Sequence, residues 1–306
     1  MSRGDPLVIE VAVNGMTPRE RNPHVPRLPH EITEEALACF AEGAAIVHAH
    51  TDRIDLPLDE AVDEYVAAWA PVLAARPDAL WCPTQLPFAP TMAERIAHYA
   101  PLVERAGLRL GMIDPGCVNV TWADDDGLPA AGLGPYVNTI EDVHVGFGRC
   151  VELGLGASVS IYEPTWLNHT LAFARAGRLS PGSMCKLYFG GPNGYFARGT
   201  GVSFGLPPTA NALAAYLDML AIEPTCGLPW SVSVVGGDLL ATPVAELAVR
   251  AGGHLKLGLE DYSGTETPSN RELLRAAREL GERCGRPAAT PEQTATILGL
   301  ADPTNP

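Results

Sequence analysis

Short β-rich apolar runs, each followed by a longer stretch of helical periodicity, recur along the whole chain, and eight such pairs are counted. The runs predicted as strands are Leu7 to Asn14, Ala44 to His50, Leu80 to Thr84, Leu108 to Ile113, Ala157 to Tyr162, Met184 to Phe189, Trp230 to Val235 and His254 to Leu259. The segments between them place apolar residues at helical spacing, from ITEEALACFAEG after the first strand to SNRELLRAARELGERCG after the last. Many open on Thr, Ser or Asp and close on Gly, the chemistry that starts and stops a helix. No Ser/Gly/Pro-rich linker separates the units, so the pattern predicts a (β/α)8 TIM barrel, with residues 1–306 as a single catalytic domain, rather than a doubly wound sheet. Two βα connections are long: Gly15 to Glu31, rich in Pro and Arg, and Asp114 to Asn138, rich in Gly and Asp. Loops in that position lie on the catalytic face of a barrel, so both are candidate substrate-covering segments.

Composition narrows the function classes. Hydrophobic residues at 46% and charged residues at 19% fit a globular chain with a large core. A formal charge of −15 without any Lys/Arg run argues against a nucleic-acid surface, because nothing is available to displace phosphate counterions. Seven cysteines, odd in number and without a CxxC pair, signal neither a disulfide framework nor a thiolate zinc site and point to a reducing compartment. The N-terminal MSRGDPLVIEVAVNG does not read as a signal peptide, and no apolar stretch reaches the roughly 18 residues of a membrane span. A cytoplasmic protein is expected.

The strongest local motif is AAIVHAHTD, where His48 and His50 sit at i and i+2 near the end of the second strand and so project to one face. Two neutral imidazoles suit zinc, or another divalent metal; the alternative is a pair of histidines satisfied by nearby carboxylates. In HLKLGLEDY on the eighth strand, His254, Lys256, Gly258 and Glu260 share a face. Barrel closure sets that strand one away from the second, so Glu260 is the candidate third ligand; pairing with Lys256 alone is its other reading. Asp261 is either a general base at an acidic C–H or the N-cap of the next segment. An amidohydrolase-type site carries its HxH on the first strand with further His ligands later. Here a full βα unit precedes the pair, and His98 and His144 fall in predicted helices, so the hydrolytic reading weakens.

These residues resemble the β-keto acid cleavage enzymes, whose best-known activity is cleavage of 3-keto-5-aminohexanoate. The resemblance runs through VAVNG (11–15), ITEEALACFAEGAAIVHAH (32–50), NV (119–120), AGGHLKLGLED (251–261), SN (269–270) and GRPAATPEQTATILGL (285–300). It implies one zinc ion held by His48, His50 and Glu260, with Asp261 as catalytic base. The implied partners are a β-keto acid and acetyl-CoA, with acetoacetate and a new acyl-CoA as products of an acyltransferase, and the implied assembly is a homotetramer. No organic cofactor is required.

The family usually carries Arg where this chain has Lys256, so the catalytic cation is a point charge rather than a bidentate fork. That keeps a CoA-independent, metal-dependent aldolase or lyase as the alternative activity, with a ligand-binding relic as the third reading. Thr84, in the WCPTQLP turn where relatives have a Ser/Thr-Gly-Gly type turn, and Asn119 are candidate substrate contacts. So is Arg19, which with Arg21 and Arg27 is placed to meet a carboxylate or CoA phosphates. Glu163, at the end of the fifth strand, either touches substrate or hydrogen-bonds a metal-bound His.

Overall fold

The computed structural model describes residues 5–131, 134–194, 200–201, 204–222 and 227–300. Strands β1 (Ile9–Ala12), β2 (Ile46–Ala49), β3 (Trp81–Pro83) and β4 (Leu110–Ile113) are followed by an antiparallel hairpin, β5 (Val118–Val120) and β6 (Gly134–Tyr136). Then come β7 (Gly156–Ile161), β8 (Met184–Gly190), β9 (Trp230–Val235) and β10 (His254–Leu257). All but the hairpin form one parallel sheet in the order β3-β2-β1-β10-β9-β8-β7-β4. Its two edges, β3 and β4, lie side by side. The Gln85 amide bridges them by donating to the Met112 carbonyl at 3.2 Å. The ring is therefore a nearly closed (β/α)8 barrel, as the periodicity predicts.

The helices are α1 (Pro29–Ala41), α2 (Leu58–Ala75), α3 (Met92–Arg95), α4 (Tyr99–Ala106), α5 (Ile140–Leu153), α6 (Pro164–Arg175), α7 (Ala210–Ile222), α8 (Pro243–Arg250), α9 (Asn270–Arg283) and α10 (Pro291–Leu298). Thr139, Ser269 and Thr290 cap α5, α9 and α10 with side-chain oxygens that accept from backbone N–H groups of the first turn. None is long and apolar enough to cross a membrane.

Three elements depart from the periodicity. The helix expected after β3 is broken into α3 and α4, because a continuous helix would drive the Pro101 ring into the carbonyl four residues back. The long segment after β4 contains the β5–β6 hairpin. The C-terminal ATPEQTATILGL forms α10, whose Leu298 joins Val8, Ile46, Leu80, Leu110 and Met184 in an apolar plug at the floor of the barrel.

Above this floor the inward-facing positions turn polar. Glu10, Lys186, Ser231 and Lys256 are fully buried, and Lys186 pairs with Glu10 at 3.3 Å. Removing one member of such a pair strands the other in a low-dielectric interior. Glu10→Gln is expected to cost about 3–5 kcal/mol of stability in urea unfolding, and the Glu10→Gln/Lys186→Met double variant to recover most of it.

His98 lies in the break between α3 and α4, stacked on Tyr65 and donating from Nε2 to the Thr84 carbonyl at 2.9 Å. Burial pushes its pKa down to about 4. Between the unfolded value near 6.5 and that folded value only the unfolded chain takes up the proton, so stability falls as pH drops through this window. The loss expected from this group is about 3 kcal/mol, and His98→Gln should flatten the pH dependence of urea midpoints there.

Candidate active site

Alternation along β2 turns His48 and His50 toward the barrel mouth, and β10 delivers the third group by ending early. The strand predicted to run to Leu259 stops at Leu257 because Gly258 takes a φ of +139°, where an added Cβ would sit 2.2 Å from the Ala12 carbonyl oxygen. The chain then folds over the end of β1, with the Glu260 N–H donating to the same carbonyl at 3.2 Å. Glu260 comes to lie between the two histidines, Oε2 at 3.2 Å from His48 Nε2 and Oε1 at 3.3 Å from His50 Nε2. Its ligand atoms and theirs lie within 4.8 Å of one another.

Two asparagines brace this arrangement. Asn14 accepts from the His50 N–H at 2.9 Å and donates to the His50 carbonyl at 3.0 Å, fastening the end of β2 to β1. Asn270 accepts from the Leu259 N–H at 3.0 Å and donates to the Val13 carbonyl at 2.9 Å, fastening the β10 turn to the same strand. Sequence reasoning assigned neither a role, although Asn270 falls in the SN pair and Asn14 in the VAVNG run.

Hydrogen bonding and burial set the donor atoms. His48 Nδ1 is 2.9 Å from the Cys82 carbonyl, which can only accept, so Nδ1 carries a proton and Nε2 is the ring nitrogen that faces Glu260. Burial lowers the His50 pKa against the pull of Glu260, favouring the neutral imidazole there. Burial also opposes ionisation of Glu260, but Lys256 and the two histidines outweigh it and hold the carboxyl well below its usual range. His48 Nε2, His50 Nε2 and Glu260 Oε2 are buried without hydrogen-bond partners. Two imidazole nitrogens and a carboxylate that converge in this way are a donor set for a divalent metal.

Beside the cluster, Lys256 Nζ lies 2.5 Å from Asp261 Oδ2, 3.5 Å from Glu260 Oε2 and 5.2 Å from the centre of the Tyr188 ring. The Ser233 hydroxyl donates to the same Asp261 oxygen at 2.8 Å. Burial works against the Lys256 charge, yet Asp261, Glu260 and Glu10 hold its pKa above the usual lysine value. Burial pushes the Asp261 carboxyl up against the attraction of Lys256. Asp261 caps no helix: the next one, α9, begins at Asn270 under its own cap, Ser269.

The mouth opposite the cluster is an aromatic wall of Tyr136, Tyr162, Tyr188 and Phe204 with Val120 and Val235. Here the remaining candidates disperse. Thr84 follows β3 at the rim, half-buried, its N–H bonded to the Tyr65 hydroxyl at 3.2 Å. Glu163 accepts from the Gly205 N–H at 3.1 Å, a contact that braces the loop there. Asn119 is exposed on β5, alternating with the more buried Val118 and Val120. Arg19 pairs with Glu31 and donates to the Val25 carbonyl at the outer surface. Arg27 donates to the Gly15 and Thr17 carbonyls within the first long loop, and Arg21 donates to Ser263 and Gly264, strapping that loop to the segment after β10. Sequence reasoning also missed Asp114, Ser160 and Tyr136, which carry no local motif.

Gly15 tests how tightly the third ligand is held. Its φ is +52°, and an added Cβ would fall 2.3 Å from Glu260 Cγ. Gly15→Ala is expected to displace Glu260 and weaken metal binding at least tenfold in a chelator competition while the folded far-UV signal persists.

A sequence profile for beta-keto acid cleavage enzymes matches residues 6–300. The 3-keto-5-aminohexanoate cleavage enzyme of Acetoanaerobium sticklandii is 24% identical over 96% of this chain and 98% of its own length. The 3-oxoadipate:acetyl-CoA acetyltransferase of Cupriavidus necator is 25% identical over 96% and 95%. Among solved structures, apo ObcA superposes with a TM-score of 0.64 at 17% identity, over 92% of this chain and 66% of that one, which shows a shared fold. This chain thus spans just under two thirds of the ObcA chain. With the profile running from the start of β1 through α10 and the two histidines converging on Glu260, the chain belongs to the β-keto acid cleavage enzyme family.

Proposed function

We propose that the protein is a zinc-dependent acyltransferase that converts a β-keto acid and acetyl-CoA into acetoacetate and a new acyl-CoA. The observation that carries this reading is the His48–His50–Glu260 cluster with the Lys256–Asp261 pair against it, in a chain whose relatives include a named acetyl-CoA acetyltransferase. Interior charge supports a dication. Glu260 and Asp261 share the single ammonium group of Lys256, while Lys186 is committed to Glu10. Among the described residues the remaining buried cation, Arg286, is committed to backbone carbonyls of Asp5, Val249 and Gly253. Two imidazoles and one carboxylate match the three-ligand, open-position pattern of catalytic zinc.

Bound there, the metal supplies Lewis-acid stabilisation of the negative charge that develops on the keto acid. Asp261 is the base: Lys256 and Ser233 occupy Oδ2, which leaves Oδ1 for a proton from C2 of the substrate. C2 forms a bond to the acetyl carbon as the CoA thiolate departs; the thiolate then attacks the original keto carbon, whose bond to C2 breaks, and the proton taken by Asp261 returns to C2 to give acetoacetate. Atoms balance without an oxidant or a further cofactor. Lys256, held charged by its carboxylate neighbours, orients anionic groups as a cation and is not an amine nucleophile, which disfavours Schiff-base lyase chemistry.

The expected result is acetoacetate formation from acetyl-CoA and at least one member of a β-keto acid panel, with zinc found by elemental analysis. His48→Ala and Glu260→Gln should lose metal and turnover together, whereas Asp261→Asn should keep the metal and lower kcat by about 10²–10⁴-fold. Full turnover by metal-stripped protein, or cleavage that needs no CoA, overturns the proposal.

A further inference from the structure

We infer that Ser233 is a positioning residue for the base: its hydroxyl holds the Asp261 carboxylate in the orientation that turns one oxygen toward the substrate. This rests on the acyl-transfer reading above and adds the residue that aims its first step.

Strand β9 alternates. Trp230, Val232 and Val234 enter the apolar core, while Ser231 and Ser233 lie on the opposite, inward face with Val235, which joins the aromatic wall. Ser233 is fully buried, where a hydroxyl costs free energy unless it finds a partner. Its partner is Asp261 Oδ2, at 2.8 Å.

The backbone bonds around Asp261 leave this side-chain contact something to decide. The Gly236 N–H donates to the Asp261 carbonyl at 2.9 Å and the Ser263 N–H to the Gly237 carbonyl at 3.0 Å, so the turn after β10 is fastened to the end of β9. These bonds place the Asp261 main chain. They do not set the plane of its carboxylate, because the last torsion of an aspartate is broad. Lys256 attracts the carboxylate but aims it weakly: an ammonium is a compact charge with three rotatable donors, and this one also lies 3.5 Å from Glu260 Oε2. Ser233 brings one O–H from a fixed place in the sheet, in register with Tyr188 of β8. Donors from two neighbouring strands, β9 and β10, therefore converge on Oδ2, and their directions together define where Oδ1 points. Proton abstraction depends on that direction, since a misplaced base loses rate even when every group is present.

The test uses the metal-loaded protein and a panel of β-keto acids. Proton NMR in D2O follows exchange at C2 above the spontaneous rate without acetyl-CoA, and acetoacetate formation is followed with it. Ser233→Ala should keep the metal and KM, and slow both C2 exchange and kcat by about 10–100-fold. Ser233→Thr and Ser233→Val add similar bulk, so that pair isolates the hydroxyl: the Thr variant should recover most of the rate lost in Ser233→Ala and the Val variant none. Wild-type exchange and turnover in Ser233→Ala, equal rates in the Thr and Val variants, or a loss confined to KM overturns the assignment. A loss that disappears as the pH is raised marks an effect on ionisation rather than on direction and also overturns it. Acetoacetate formation that is indifferent to Ser233 removes the positioning role and leaves the reaction standing. Hydroxyl-dependent C2 exchange without acetoacetate from any keto acid supports the positioning role and removes the acyl transfer. Neither exchange nor acetoacetate in the wild-type protein overturns both.

Discussion

Glu260 sits between two imidazole nitrogens, one of them fixed in direction because the other nitrogen of its ring is tied to the Cys82 carbonyl. Converging electron pairs repel unless a cation lies among them, and much of the surrounding architecture keeps them convergent. Gly258 lets the chain turn over β1, Gly15 leaves room for the Glu260 side chain, and Asn14 and Asn270 lock the ends of β2 and β10 to β1. A ligand set on strand ends braced by paired amides is held more rigidly than one carried on loops.

The rest of the interior follows from what it costs to bury charge. Carboxylates and ammonium groups enclosed by an apolar floor and an aromatic wall are tolerated only when paired, and the low dielectric then makes each pair strong. Lys256 answers Asp261 and Glu260, and Lys186 answers Glu10. The polar layers stand directly above the plug contributed by α10, so the end of the chain seals the barrel beneath its chemistry. The gradient runs from an apolar floor to a charged mouth, where His48, His50 and Glu260 converge beside Asp261.

Where sequence and structure part, the physical causes are local exceptions or distant contacts. Pro101 breaks a helix whose apolar period continues through it. The final helix, capped by Thr290 and Gln293, lies outside the eight-unit repeat, so periodicity gave it no place. Arg19 and Glu163 were chosen for charge near strand ends and loops, yet Glu31 and the Gly205 N–H claim them. Asp114 escaped notice because a lone Asp before a Pro-Gly turn looks like ordinary turn chemistry.

The barrel, the shared face of His48 and His50 and the candidacy of Glu260 were legible in the sequence because period-two alternation, helical spacing and capping are properties of neighbouring residues. Tertiary structure alone decided which oxygen faces which nitrogen, that Asn14 and Asn270 brace the cluster, and that Lys256 is shared between Asp261 and Glu260. Those relations depend on strand register and barrel closure. They join residues tens to hundreds of positions apart, and no local pattern encodes them.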